Sequence, residues 1–222
     1  GPSVGVMDGL ATIAEAQGRG VKDLASQIAT VVHGTTVTTN ATLTRGGAKT
    51  GLVTTEGVRD ALEMRRGIRE EQYNNRLRNV VPIVPRYLRR AVKGRLEYEG
   101  KELAPLCLDD VREAAALFKD EGIEAVAICF MNAFADPRHE RAAEEVIRAE
   151  LPDAFLSAST EVLSTIRFYN RVSTTVLNAY VGPILRSYLG NLRNKLSEIG
   201  FGGVLLIMQS NGGVMSPQVA QR

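Results

Sequence analysis

The segment IEAVAICF, residues 123 to 130, limits the fold more than any other. But for Glu124 it is an unbroken apolar run of strand length, which suits a parallel strand covered on both faces. The flanking patterns are helical. LDDVREAAALFKDEG, 108 to 122, sets Val111, Ala114, Ala115 and Phe118 on one face and stops at Gly122. On the other side Asp136 as cap and Pro137 in the first turn open a helix through RHERAAEEVIRAE. The alternation extends along the chain. IATVVH (28–33), GAKTGLVTT (47–55), FLSAS (155–159) and VLLIMQS (204–210) read as strands. VGVMDGLATIAEAQG, a segment beginning near Asn40, GVRDALEMRR (57–66) and residues 161–199 read as helices, the last interrupted near Gly182-Pro183. Residues 67 to 100, with Pro82 and Pro85, read as an irregular excursion. Strands alternating with helices predict an α/β fold with a mostly parallel sheet and flanking helices.

A chain of 222 residues, 44% of them hydrophobic, can bury a sizeable core as one large or two small domains. The net charge of +2 implies no acidic partner. Cys107 and Cys129 are far apart and outside any CxxC, as expected of reduced, packed thiols in a cytoplasmic protein. No apolar stretch reaches the roughly 18 residues of a membrane span, and no signal peptide opens the sequence.

Ligands of open α/β sheets gather beyond the carboxyl ends of strands. Two such ends are small and polar. His33-Gly34-Thr35-Thr36 leads through Thr38 and Thr39 to Asn40, and Met208-Gln209-Ser210-Asn211 leads into Gly212-Gly213. Glycine admits close backbone approach, and hydroxyls and amides can hold an anion. Helix capping by the threonines, and a plain Asn-Gly-Gly turn, account for the same residues. Other catalytic sets are scarce. His33 and His139 are the two histidines; His139 is expected to be solvated on a charged helix, and neither has zinc spacing. No nucleophile elbow, Walker A loop or GxGxxG is found. Between Arg59 and Arg95, including Arg69, basic residues outnumber acidic ones. A phosphate clamp and a solvated or docking surface both fit. With only Tyr73 and Tyr87 to stack, single-stranded nucleic acid does not.

HGTTVTTNATL, the following Gly-Leu-Val-Thr-Thr strand and GVRDALEM together resemble the N-terminal part of the hydantoinase A/oxoprolinase family. Val84-Pro85-Arg86, Glu140-Arg141 after Pro-x-His, STTVLNAYVGP (173–183) and IMQSNGGVMS (207–216) continue that resemblance in order. It implies an incomplete lobe of the actin, Hsp70 and sugar-kinase (ribonuclease H-like) fold. The family's Asp-x-Gly-Gly-Thr hairpin is not in the sequence, and the chain opens Gly-Pro-Ser, so a slice of a longer protein is expected. Residues 1–172 would be the N-terminal domain and 173–222 the start of the main domain. By the same resemblance the intact protein would use ATP and Mg²⁺ to phosphorylate a cyclic amide for hydrolytic ring opening. A ketone carboxylase subunit and a non-catalytic assembly module are the alternatives. Thr35, Thr36, Asn40, Asn211, Gly212 and Gly213 would line the nucleotide or substrate cleft, with no catalytic residue or metal ligand assigned. A small-molecule substrate and a second, hydantoinase B-type subunit are the implied partners, with no nucleic acid and no membrane. The chain alone is expected to be inactive.

Overall fold

The computed structural model describes residues 2–67 and 70–221. Arg69 of the basic segment lies outside the described residues. The elements are α1 (Pro2–Ala16), α2 (Val21–Gln27), β1 (Thr30–His33), α3 (Val37–Leu43), β2 (Thr50–Thr55), α4 (Ala61–Met64), β3 (Arg89–Val92), β4 (Arg95–Leu96) and β5 (Glu102–Ala104). There follow α5 (Leu108–Asp120), β6 (Ala125–Cys129), α6 (Arg138–Glu150), β7 (Phe155–Ala158), α7 (Ser159–Val162), α8 (Phe168–Glu198), β8 (Val204–Met208), β9 (Val214–Met215) and α9 (Pro217–Ala220). They form two compact units. One comprises residues 1–47 and 181–222, the other 48–180.

The 48–180 unit is built on the parallel sheet β3-β2-β6-β7. β2 and β6 are buried along their whole length, as the apolar run at 125–129 requires. Val111, Ala114, Ala115 and Phe118 of α5 turn inward, on the face their spacing predicts. Gly51 in β2 makes room for them: a Cβ there would come within 2.7 Å of the Phe118 ring. β3 was not expected, because its sequence Arg-Arg-Ala-Val reads as solvated. The structure buries Arg89, which is 2% exposed, by pairing it with Glu63 at 3.1 Å, Asp60 at 3.6 Å and the Val84 carbonyl at 2.9 Å. Arg86 also grips Asp60 through two bonds of 2.9 and 3.0 Å. Part of the basic excursion is thus neutralised within the fold.

Buried polar groups also correct the expectation for His139. It is 4% exposed, its Nε2 lies 2.6 Å from Glu102 Oε1, and its ring meets Phe130 edge-on. His139, Ala143 and Ile147 fall on one inward face of α6, at the i, i+4, i+8 spacing that overrides the helix's charged composition. Next to it Glu140, with no exposed surface, accepts from the Phe130 N–H (2.9 Å), the Ser159 hydroxyl (2.5 Å) and the Thr160 N–H (2.9 Å). One carboxylate thereby ties the end of β6 to the start of α7.

Both cysteines are free thiols. Burial pushes Cys129 up from 9.0 to about 12. Iodoacetamide at about pH 8 is therefore expected to label half-buried Cys107 and to spare Cys129 until the chain unfolds. The folded state also loses stability as pH rises between those two values, because only the unfolded thiol ionises there. Labelling of Cys129 in the native protein at the rate of Cys107 would contradict this burial.

The other unit carries the sheet β1-β8-β9. Val31, Leu205, Ile207 and Met215 cover a cluster with Leu189, Leu192 and Leu196 of α8 and Val6, Met7 and Leu10 of α1. α8 is uninterrupted from Phe168 to Glu198 and contains Pro183. The break expected near Gly182-Pro183 falls instead at residues 163–167, between α7 and α8. Proline in a helix interior removes one donor without necessarily ending the helix. No helix among the described residues is long and apolar enough to cross a membrane.

Candidate functional site

β1 and β8 are parallel neighbours in register, Thr30 opposite Val204 and His33 opposite Ile207. Parallel pairing brings their carboxyl ends to the same edge of the sheet. The two polar segments singled out in the sequence emerge there side by side. Gly203 permits the close start of this pairing: a Cβ on it would lie 2.4 Å from the Ala29 carbonyl oxygen.

After β1 the chain turns into α3 with Thr36 at its N-cap. The Thr35 hydroxyl accepts from the Val37 N–H at 3.3 Å, a local turn bond. Thr36 caps no backbone N–H; its hydroxyl accepts from the Asn40 side-chain amide at 3.4 Å. Thr36 and Asn40, one helical turn apart, thus form a pair exposed to solvent. After β8 a tight hairpin turns back into β9. Gln209 N–H donates to the Gly213 carbonyl at 2.8 Å, Gly212 N–H to the Gln209 carbonyl at 3.0 Å, and Gly213 N–H to Asn211 Oδ1 at 2.9 Å. Gly212 takes φ +87°, which side chains disfavour. The Asn211 oxygen is spent on this turn, which leaves its Nδ2 as the outward donor. All six predicted residues therefore sit on two adjacent strand tips, Thr35 half-buried and the others exposed.

His33 is not part of this outward group. Its Nε2 is 2.7 Å from the hydroxyl of Tyr188 on α8, and burial lowers its pKa, so it is neutral at pH 7. That is the geometry of a packed, satisfied histidine. Among the described residues no cluster of three or more His, Cys, Asp or Glu could hold a metal ion. The tips can hydrogen-bond an oxygen-rich ligand through hydroxyl and amide groups. They carry no charge and no nucleophile stronger than the hydroxyls of Ser210 and the threonines.

Two polar groups of the 48–180 unit have buried roles that the sequence did not predict. Arg171 has no exposed surface; its Nη2 donates to the Phe130 carbonyl, and its guanidinium lies 5.6 Å and 5.7 Å from the centroids of Phe134 and Phe168. Glu140 is the other. A buried arginine in a Tyr-Asn-Arg-Val run leaves no local signal, and only the fold shows that it holds the loop after β6.

Residues 1–151 match the model of the hydantoinase/oxoprolinase N-terminal region, and residues 171–222 match that of hydantoinase/oxoprolinase. The caprolactamase subunit alpha of Pseudomonas jessenii is 36% identical over 99% of this chain and 32% of its own length. The acetophenone carboxylase gamma subunit of Aromatoleum aromaticum is 30% identical over 95% of this chain and 31% of its own. The crystal structure of the ATP-dependent caprolactamase from Pseudomonas jessenii superposes with a TM-score of 0.90 at 36% identity, over 96% of this chain and 31% of that one. The chain spans about a third of the length of these relatives. With two family models covering most of its residues in order, the chain belongs to the hydantoinase/oxoprolinase family.

Proposed function

We propose that the protein carrying this chain is an ATP-dependent amidohydrolase that phosphorylates the carbonyl oxygen of a cyclic amide and so prepares the ring for hydrolysis. The observation that carries this reading is the parallel β1–β8 pairing, from which two donor-rich tips project at one sheet edge. Similarity to an ATP-dependent caprolactamase supports the nucleotide and the amide. The donor set fits phosphoryl and carbonyl oxygens: the Thr36 hydroxyl, the Asn40 amide and Asn211 Nδ2, while the Gly212 and Gly213 N–H groups hold the turn that presents Asn211. Aimed at oxygens that gain negative charge, such groups lower the barrier without moving. When bound, ATP supplies the phosphoryl group. Here the chain's own residues orient its oxygens and those of the acceptor. Mg²⁺ contacts are assigned to parts of the protein beyond these residues, and the 222 residues alone are read as inactive.

The finer fold reading, an incomplete actin-like lobe whose family boundary lies near Ser173, belongs to this same proposal. So does the cytoplasmic location. A second reading, a ketone carboxylase subunit, is favoured by the similarity to acetophenone carboxylase gamma. Both relatives are named as subunits, which supports a second, hydantoinase B-type subunit as partner. Activation of a carbonyl oxygen would serve either chemistry; dependence of product formation on bicarbonate separates them.

Thr36→Ala in the intact protein is expected to cut amide-dependent ATP hydrolysis about a hundredfold, the loss typical of one oxyanion donor. Its melting temperature should hold, since Thr36 is exposed and caps no helix N–H. Full turnover by this variant would remove the β1 tip from the site.

A further inference from the structure

The 48–180 unit contains a cavity of about 640 Å³ at the carboxyl ends of β2 and β3. That is the size of a small-molecule pocket. It also lies beyond the carboxyl ends of parallel strands, the end at which such a sheet collects ligands. Val58, Ala61, Met64 and Phe168 contribute to a mostly apolar wall. The wall is held under strain at Arg65, whose φ of 56° and ψ of −126° suit no ordinary side chain.

Four charged residues line the cavity, and two of them are already neutralised. Asp60 is gripped by Arg86 and Arg89, and Arg65 by Glu70. Glu56 and Arg59 remain. Among the described residues they form no ion pair with each other or with any other side chain. Arg59 is half-buried against the apolar wall, and Glu56 is exposed at the rim. Arg59 also acts on Asp60, whose carboxylate Arg86 and Arg89 already hold, so its positive charge is in excess there. An excess charge of each sign on an apolar cavity matches a ligand with the same three parts.

We propose that this cavity binds a zwitterionic amino acid whose ammonium and carboxylate are separated by an apolar spacer. The carboxylate pairs with the planar fork of Arg59, the ammonium pairs with Glu56, and the spacer lies on Val58, Met64 and Phe168. A neutral cyclic amide would leave both charges unmatched, so the cavity discriminates against the closed ring. Hydrolysis of a cyclic amide breaks its C–N bond and adds water. The acyl carbon becomes a carboxylate and the nitrogen an ammonium on one chain. Naming the ligand as the reaction product rests on the function proposed above; the existence of the binding site does not.

The test is calorimetric titration of the folded protein with 6-aminohexanoate, hexanoate, hexylamine and the neutral seven-membered lactam. The zwitterion is expected to bind about tenfold or more tighter than each of the other three, the gain from one well-placed ion pair. Arg59→Met should weaken 6-aminohexanoate to the level of hexylamine, and Glu56→Gln should weaken it to that of hexanoate. Neither should change the melting temperature. Equal affinity for the four compounds, no measurable binding of the zwitterion, or an undiminished preference in both variants overturns the proposal. ATP hydrolysis by the intact protein is measured alongside with this lactam and a panel of other cyclic amides. If the amino acid binds but no cyclic amide stimulates hydrolysis, the proposed function falls and the pocket stands. Stimulation without amino-acid binding has the opposite meaning.

Discussion

Glu140→Ala is expected to destabilise the protein by roughly 3–5 kcal/mol, enough to lower its melting temperature by roughly 10 °C or more. The carboxylate has no exposed surface and satisfies three donors at once: the Phe130 and Thr160 N–H groups and the Ser159 hydroxyl. Removing it strands the buried Phe130 donor and the half-buried Thr160 donor and leaves a cavity between α6 and the end of β6. Both penalties act in the same direction. Ser159→Ala removes a single partner and should cost no more than about 2 kcal/mol. Chemical denaturation of the three proteins checks the ranking. A Glu140→Ala protein within about 1 kcal/mol of the parent would show that water replaces the carboxylate and that the network is dispensable.

The second large effect concerns Gly203. An alanine Cβ would approach the Ala29 and Ile28 carbonyl oxygens to 2.4 and 2.6 Å, and both obstacles are backbone atoms that cannot rotate away. The Val204 N–H donates to that same Ala29 carbonyl at 2.9 Å, so the first rung of the β1–β8 ladder must open. Gly203→Ala is expected to cost roughly 3 kcal/mol or more, in the range of severe overpacking, and to loosen both strand tips. Amide hydrogen exchange should accelerate at Val31–His33 and Leu205–Ile207, with strands β2 and β6 of the other unit unaffected. Unchanged protection along β1 would mean that the strands do not run as closely as the register requires, and the shared edge assigned to Thr36 and Asn211 would lose its basis. Gly202→Ala is the control, since nothing lies within 4 Å of a Cβ built there.

The strands at 125–129 and 204–208 were legible because an apolar run of that length, bounded by Gly or Asn, has few alternatives to a buried strand. The amphipathic spacing of α5 was equally plain. β3 and the inward histidine of α6 were not. Their side chains are polar, and a one-dimensional pattern prices Arg89 and His139 as solvated. What buries them is a partner supplied from elsewhere in the chain: Glu63 lies 26 positions before Arg89, and Glu102 lies 37 before His139. The cavity at β2 and β3 was invisible for the same reason, as its walls come from residues 56–65, 91 and 168–169.

The sequence by itself determined the alternation of strands and helices, the family resemblance and the chemistry available at each strand tip, because periodicity and motif order are local properties of the chain. Only the tertiary structure decided which tips share an edge, which charges are cancelled and which are left free. Those outcomes depend on strand pairing and on ion pairs between distant residues, whose energies come from contacts that no stretch of the chain makes alone.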